Sequence, residues 1–251
     1  MSYAQSATSS DDKRPRRVRR EAERSARLEQ LAEMGKLAAG LAHELKNPLS
    51  TMKLHLQLLE EDLAAAQLAE KQPMLNRIAT VKKEAERLRQ TLEDFLRFAG
   101  RIELRLENVG LNTLVQDLVD FLHAQAQAGK VRILTALAPE APHCRLDSNL
   151  FKQALLNLML NAIQAMPNGG ELMIRTMASK THAILYVSDT GVGISAENIP
   201  RIFEAYYTTK KGGTGLGLPT TRRIIEEHGG HIVVNSEPNR GTSFRIELPL
   251  A

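Results

Sequence analysis

Apolar residues Leu31, Met34, Ala38, Leu41, Leu45, Leu49, Met52, Leu56, Leu59 and Leu63 recur at intervals of 3, 4, 3, 4, 4, 3, 4, 3 and 4. That rhythm predicts a long amphipathic helix with a heptad seam and one extra residue inserted beside Pro48. After a break at Ala69 to Pro73, a second seam runs through Ile78, Val81, Ala85, Leu88, Leu92, Phe95 and Ala99. Two long helices joined by a short loop make an antiparallel hairpin. Stripes this narrow bury too little area for the hairpin to stand alone, which predicts pairing with a second copy into a four-helix bundle, a homodimer.

Beyond Gly100 the period changes. Residues 101–107 alternate like a strand, 111–128 read as a helix closed by Gly129, and 131–137 as a strand. A helix is predicted over 148–166, strands over 171–178 and 183–189, a helix over 217–228 ended by Gly229 and Gly230, and strands over 231–236 and 243–248. The fold class is α+β: the helical hairpin, then a sheet with helices stacked on one face. The domains are a disordered basic tail (1–15), the hairpin (16–100) and an α/β unit (101–251).

Charge changes this picture only at the N-terminus. The net charge of the 251 residues is +4, and residues 1–30 hold eight Lys or Arg against five Asp or Glu. The run from Lys13 to Arg20 has no interleaved aromatics and is followed by Glu21, Glu23 and Glu29. It reads as the solvated start of a helix rather than a nucleic-acid site. No apolar run is long enough to span a membrane, and the Ser-rich first residues do not resemble a secretory signal. The single Cys144 excludes an internal disulfide and fits a reducing compartment, so the cytoplasm is expected.

Candidate chemistry lies in four places. "LAHELKNPL", residues 41–49, sets His43, Glu44 and Asn47 ahead of a helix-breaking proline. His43 lies off the seam, facing water, with Glu44 beside it to hold its tautomer or take a proton and Asn47 one turn along. His55, also off the seam, has no such neighbours. In "NLMLNAIQAM" Asn157 and Asn161 share one helix face and can offer amide oxygens to a magnesium ion and phosphates. "SDTGVGI", residues 188–194, ends a strand with Asp189 and adds Gly191 and Gly193, which let backbone approach a flat ligand. "KKGGTGLGL", residues 210–218, places Gly212, Gly213, Gly215 and Gly217 ahead of a helix, a backbone answer to phosphate that fits neither the P-loop nor the dinucleotide fingerprint.

His-Glu-x-x-Asn-Pro, then N-x-x-x-N-A, D-x-G-x-G, Phe203 and G-x-G-x-G, in this order over roughly residues 30–250, resembles the sensor histidine kinases of two-component systems, specifically the soluble nitrogen-regulator-like branch. The resemblance implies a dimerisation and histidine-phosphotransfer hairpin followed by an ATP-binding α/β sandwich shared with gyrase and Hsp90. It implies His43 as phosphoacceptor, Glu44 as its acid/base helper, and Asn47 as the residue that positions water for hydrolysis of the phosphorylated partner. Asn157 and Asn161 become Mg²⁺ and phosphate ligands, and Asp189 the acceptor for the adenine amino group. Gly191, Gly193, Gly213, Thr214, Gly215, Leu216 and Gly217 line the ATP pocket, and Phe203 to Gly213 forms a mobile lid. Gln164 stands where many membrane-bound relatives carry a phosphate-contacting lysine, so the γ-phosphate relies on Lys210 or Lys211. No sensory domain is expected ahead of the hairpin.

The implied reaction is autophosphorylation from ATP, the catalytic unit swinging on the linker near Gly100, then transfer to an aspartate of a response-regulator receiver domain, with phosphatase activity toward that regulator. Two other readings stay open: a gyrase- or Hsp90-type ATPase without phosphotransfer, and a dimeric scaffold tethered through its basic tail. Pro48 is expected to loosen the helix beside His43 so that the ring can be offered or withdrawn. Pro48→Ala should therefore shift the kinase-to-phosphatase balance, and an unchanged balance contradicts that role.

Overall fold

The computed structural model describes residues 49–63, 71–100, 102–210 and 213–251. His43, Glu44, Asn47, Pro48, Lys211, Gly212 and the basic tail lie outside the described residues. The chain forms two compact units divided after Arg101.

In the first unit residues 49–63 (α1) and Lys71–Ala99 (α2) are helical. Helix α2 begins inside the predicted break. Pro73 sits in its first turn, where a missing N–H costs nothing because that donor has no partner within a helix. Lys53 Nζ donates to Glu86 at 3.5 Å and Lys82 Nζ to Glu60 at 2.5 Å. Partners that rise on α1 as they fall on α2 define the antiparallel pairing. The seam divides: Ile78 and Ala85 are buried, while Met52, Leu59, Val81 and Leu88 are open to solvent, because one neighbouring helix covers only part of each stripe.

The second unit runs β1 (Glu107–Gly110), α3 (Leu111–Ala128), β2 (Val131–Ala136), β3 (His143–Leu146), α4 (Ser148–Gln164), β4 (Gly170–Ala178), β5 (His182–Asp189), a 3₁₀ turn at Ile199–Arg201, α5 (Gly217–Glu227), β6 (His231–Glu237) and β7 (Gly241–Pro249). Its five-stranded sheet has the order β2-β4-β5-β7-β6, with β2 parallel to β4 and the other neighbours antiparallel. Alternation decides the faces. On β5 Ala183, Leu185, Val187 and Asp189 are buried, as are Phe244, Ile246 and Leu248 on β7. The apolar ones share one core with Leu111, Val115 and Leu122 of α3, Phe151, Leu155 and Met159 of α4, and Ile225 of α5.

The strand predicted over 101–107 is displaced. Residues 102–106 carry no regular structure, and the strand β1 pairs instead with β3, an element the periodicity did not reveal. Asp147 accounts for the difference. Its Oδ2 accepts the Arg105 N–H at 3.0 Å, so that donor is withdrawn from any ladder. The same carboxylate caps α4, Oδ1 accepting from the N–H groups of Asn149 and Leu150, both at 3.1 Å. The Asp147 backbone N–H donates to His228 Nε2 at 2.9 Å, and His228 Nδ1 donates to the Ile224 carbonyl at 2.8 Å, tying the end of α5 to the start of α4.

Burial alone would raise the Asp147 carboxyl. Hydrogen bonds from Leu150, Arg105 and Asn149, with a smaller contribution from His228, outweigh it and hold the group below its ordinary value. A depressed folded value makes the stabilisation complete above the ordinary carboxylate range and lost as pH falls through the folded value. Asp147→Ala should cost roughly 0.5–2 kcal/mol at neutral pH. Denaturation followed by the fluorescence of Tyr186, Tyr206 and Tyr207, which all lie in this unit, measures it, and the difference from the parent should shrink in acid.

Candidate nucleotide site

Helix α4 turns Phe151, Ala154, Leu155, Leu158, Met159 and Ala162 into the core, which leaves Asn157 and Asn161 half-buried one turn apart on another face. Asn161 Nδ2 donates to Asn157 Oδ1 at 3.4 Å, and Asn157 Nδ2 donates to Thr221 Oγ1 of α5 at 2.9 Å. Lys210 Nζ donates to Asn161 Oδ1 at 2.6 Å and to Gln164 Oε1 at 2.8 Å. The result is a continuous polar row from Lys210 through α4 to α5. Lys210 is exposed as a residue, and desolvation of its ammonium holds it below its ordinary value against the opposing pull of Asp189.

Asp189 ends β5 and is buried. Its Oδ1 accepts the Gly191 N–H at 2.8 Å and the Thr242 N–H at 3.2 Å, and Oδ2 makes no hydrogen bond among the described residues. Burial pushes the carboxyl up, opposed by those two donors and the charge of Lys210. A buried carboxylate with a raised pKa costs stability at neutral pH, the mark of a group kept for binding or catalysis.

The glycines serve close approach. A Cβ on Gly191 would stand 2.5 Å from the Ala165 carbonyl oxygen, where the Val192 N–H also docks at 3.0 Å, so the loop after β5 is pinned to the end of α4. Gly193 and Gly215 both have φ +69, a conformation that costs other residues. A Cβ on Gly217 would meet Asn157 Oδ1 at 2.6 Å, so the absence of a side chain lets α5 start against the amide row. The segment between Phe203 and Gly217 is held at its ends: Phe203 packs on the core under the Arg222 guanidinium, 5.3 Å from the ring centre, and the Tyr206 N–H donates to the Gly215 carbonyl at 3.1 Å. The Gly213 N–H turns back to the Lys210 carbonyl at 3.2 Å, and Thr214 Oγ1 accepts the Leu216 N–H at 3.4 Å.

Two of the predicted residues are engaged with the core. The Leu216 side chain is fully buried and leaves only its backbone for a ligand, and Phe203 spends its ring on the core and Arg222. The row also contains Thr221, and the Asp189 cradle contains Thr242, neither of which the sequence reading singled out. Nothing local marks them, since a threonine in a helix or at a strand start is ordinary. Cys144 is buried, which pushes its thiol up to about 11 and leaves it unreactive. Among the described residues no helix is long and apolar enough to cross a membrane.

A buried carboxylate at the end of the central strand, a glycine-lined loop and an amide row on the adjoining helix define an ATPase-type α/β sandwich. Residues 146–251 match the family described as "Histidine kinase-, DNA gyrase B-, and HSP90-like ATPase", and residues 33–102 match the "His Kinase A (phospho-acceptor) domain". The chain belongs to the histidine kinase family. It is 36% identical over 225 residues to the sensor histidine kinase ZraS of Escherichia coli K12, a match covering 89% of this chain and 47% of ZraS. Among solved structures it is similar to full-length ShkA in complex with AMPPNP (TM-score 0.73, 28% identity, 86% of this chain and 46% of that one). It is also similar to the histidine kinase ThkA in complex with the response regulator protein TrrA (TM-score 0.64, 26% identity, 94% of this chain and 66% of that one). The chain spans about half or less of the curated relatives it matches.

Thr221→Val removes the acceptor that fixes Asn157, and Gly217→Ala crowds the same amide. Both should displace the Asn157 side-chain signals in an ¹H–¹⁵N spectrum of the full chain, and unchanged signals contradict the contact.

Proposed function

We propose that the chain is the kinase core of a two-component sensor histidine kinase, which autophosphorylates His43 from ATP and passes the phosphoryl group to an aspartate of a response-regulator receiver domain. The observation that carries the reading is the pairing, in one unit, of a buried carboxylate (Asp189) with the Asn157, Asn161 and Lys210 row, in a chain whose residues 33–102 match the phosphoacceptor domain. Asp189 Oδ2 is free to accept an adenine amino group, and the Gly191 to Gly193 backbone can lie against the ring. The phosphates fall to Lys210 and the backbone of Gly213, Thr214, Gly215, Leu216 and Gly217.

The donor set fits magnesium. Asn157 and Asn161 supply hard amide oxygens, and Asn161 Oδ1 already accepts a cation, the Lys210 ammonium. Bound there, the ion would neutralise charge on the phosphate oxygens. The His43 imidazole attacks the γ-phosphorus with a ring nitrogen lone pair as the bond to ADP breaks, and Glu44 holds the ring or its proton. His43 then yields the phosphoryl group to the regulator's aspartate, while Asn47 orients the water that hydrolyses the phosphorylated regulator. The open seam at Met52, Leu59, Val81 and Leu88 supports assembly with a second copy as a homodimer, and the single Cys144 supports a reducing compartment, the cytoplasm. The ThkA complex with TrrA supports a receiver domain as partner.

Given γ-labelled ATP and magnesium, the parent should acquire acid-labile, base-stable label. His43→Gln should acquire none while still binding nucleotide, and label on the variant contradicts the assignment. Asn47→Ala should keep kinase activity and lose phosphatase activity. Asp189→Asn should weaken ATP binding by about 1.5–3 kcal/mol, the worth of a hydrogen bond to a charged group. Because the Asp189 carboxyl is raised, affinity for ATP should also fall with acid at a higher pH than an ordinary carboxylate would give; calorimetry across pH measures both.

A further inference from the structure

Lys210 has two partners, Asn161 Oδ1 at 2.6 Å and Gln164 Oε1 at 2.8 Å. Both oxygens project from α4, three residues apart and therefore on one face. The proposed function assigns one of them, Asn161 Oδ1, to a magnesium ion. An oxygen that accepts an ammonium at this distance cannot also ligate a divalent cation without setting two like charges side by side. The ammonium is itself a cation resting on a cation's ligand.

We propose that Lys210, positioned by Gln164, is a resident cation that occupies the metal's place on Asn161, and that its transfer from there to the γ-phosphate makes the chain prefer ATP to ADP. This inference rests on the ATP-site reading above. Metal and nucleotide arriving together must move the ammonium off Asn161. Gln164 Oε1 remains as a second anchor, so the side chain is shifted rather than released, and one of its three N–H donors stays satisfied. A triphosphate offers the displaced ammonium charge-assisted hydrogen bonds from its terminal phosphate. A diphosphate ends at the β-phosphate and has no γ-phosphate to receive the ammonium, so the displacement goes uncompensated. The identity of residue 164 follows from the same chemistry: a neutral amide oxygen accepts from Lys210, whereas a lysine there would repel it.

Calorimetric titration of the full chain with magnesium and either ADP or the non-hydrolysable triphosphate AMPPNP tests the inference in the parent, Lys210→Met, Lys210→Arg and Gln164→Ala, with melting temperatures confirming that each is folded. Lys210→Met should bind AMPPNP more weakly and ADP more tightly, reducing the preference for triphosphate about tenfold or more. Gln164→Ala should lose part of the preference, and Lys210→Arg should retain most of it. A merely structural role weakens both nucleotides by one factor, and a preference unmoved by Lys210→Met or Gln164→Ala overturns the inference. ADP binding that does not tighten in Lys210→Met overturns it as well, because nothing then competed for Asn161. A parent that binds neither nucleotide overturns the ATP-site reading and this inference with it.

Discussion

The burial of one face of α4 constrains the rest of the site. With Phe151, Leu155, Leu158 and Met159 fixed in a close-packed core, the helix cannot rotate, and the directions of Asn157, Asn161 and Gln164 are set by the helical repeat. The amide row needs no further device to point one way. What the chain adds is a second helix, α5, brought in so closely that Gly217 must lack a side chain where it meets Asn157.

The two helices are joined at both ends. Asn157 bonds Thr221 near the start of α5, and Asp147, the cap of α4, bonds His228 just past the end of α5. Asp147 further holds the Arg105 N–H on the chain that enters this unit from the hairpin side. One residue thus serves all three places: its carboxylate holds the helix start and the incoming segment, and its backbone N–H reaches the end of α5. The packing that stabilises α4 is the same packing that orients the polar row, and Asp147 fixes the start of that helix.

Much of this was legible before the structure. The α4, α5, β4, β5 and β7 boundaries follow from apolar period and glycine punctuation; Asn157 and Asn161 stand out as two amides one turn apart on the face away from the apolar one, and Asp189 as the acid that ends a strand ahead of a glycine loop. The hairpin's pairing was legible too, though the half-open seam reflects how little one helix can cover. What sequence could not supply was partnership. The alternation of Ile102, Leu104 and Leu106 resembles a strand, but a strand needs a neighbour, and β3 offers only His143–Leu146 while Asp147 claims Arg105. Likewise, residue types alone left Lys210 and Lys211 equivalent and marked Gln164 only as a departure. The bonds from Lys210 to Asn161 and Gln164 give both residues a place. His43, Glu44 and Asn47 carry the proposed chemistry and lie outside the described residues.

The central claim is that one nucleotide spans from Asp189 to the Asn157 and Asn161 row, gripped at both ends at once. The most direct measurement is an ¹H–¹⁵N titration of the full chain with magnesium and AMPPNP. The account predicts that the Gly191 and Gly193 backbone signals and the Asn157 and Asn161 side-chain signals move together along a single saturation curve. Shifts confined to one end, or two curves with different midpoints, would contradict it.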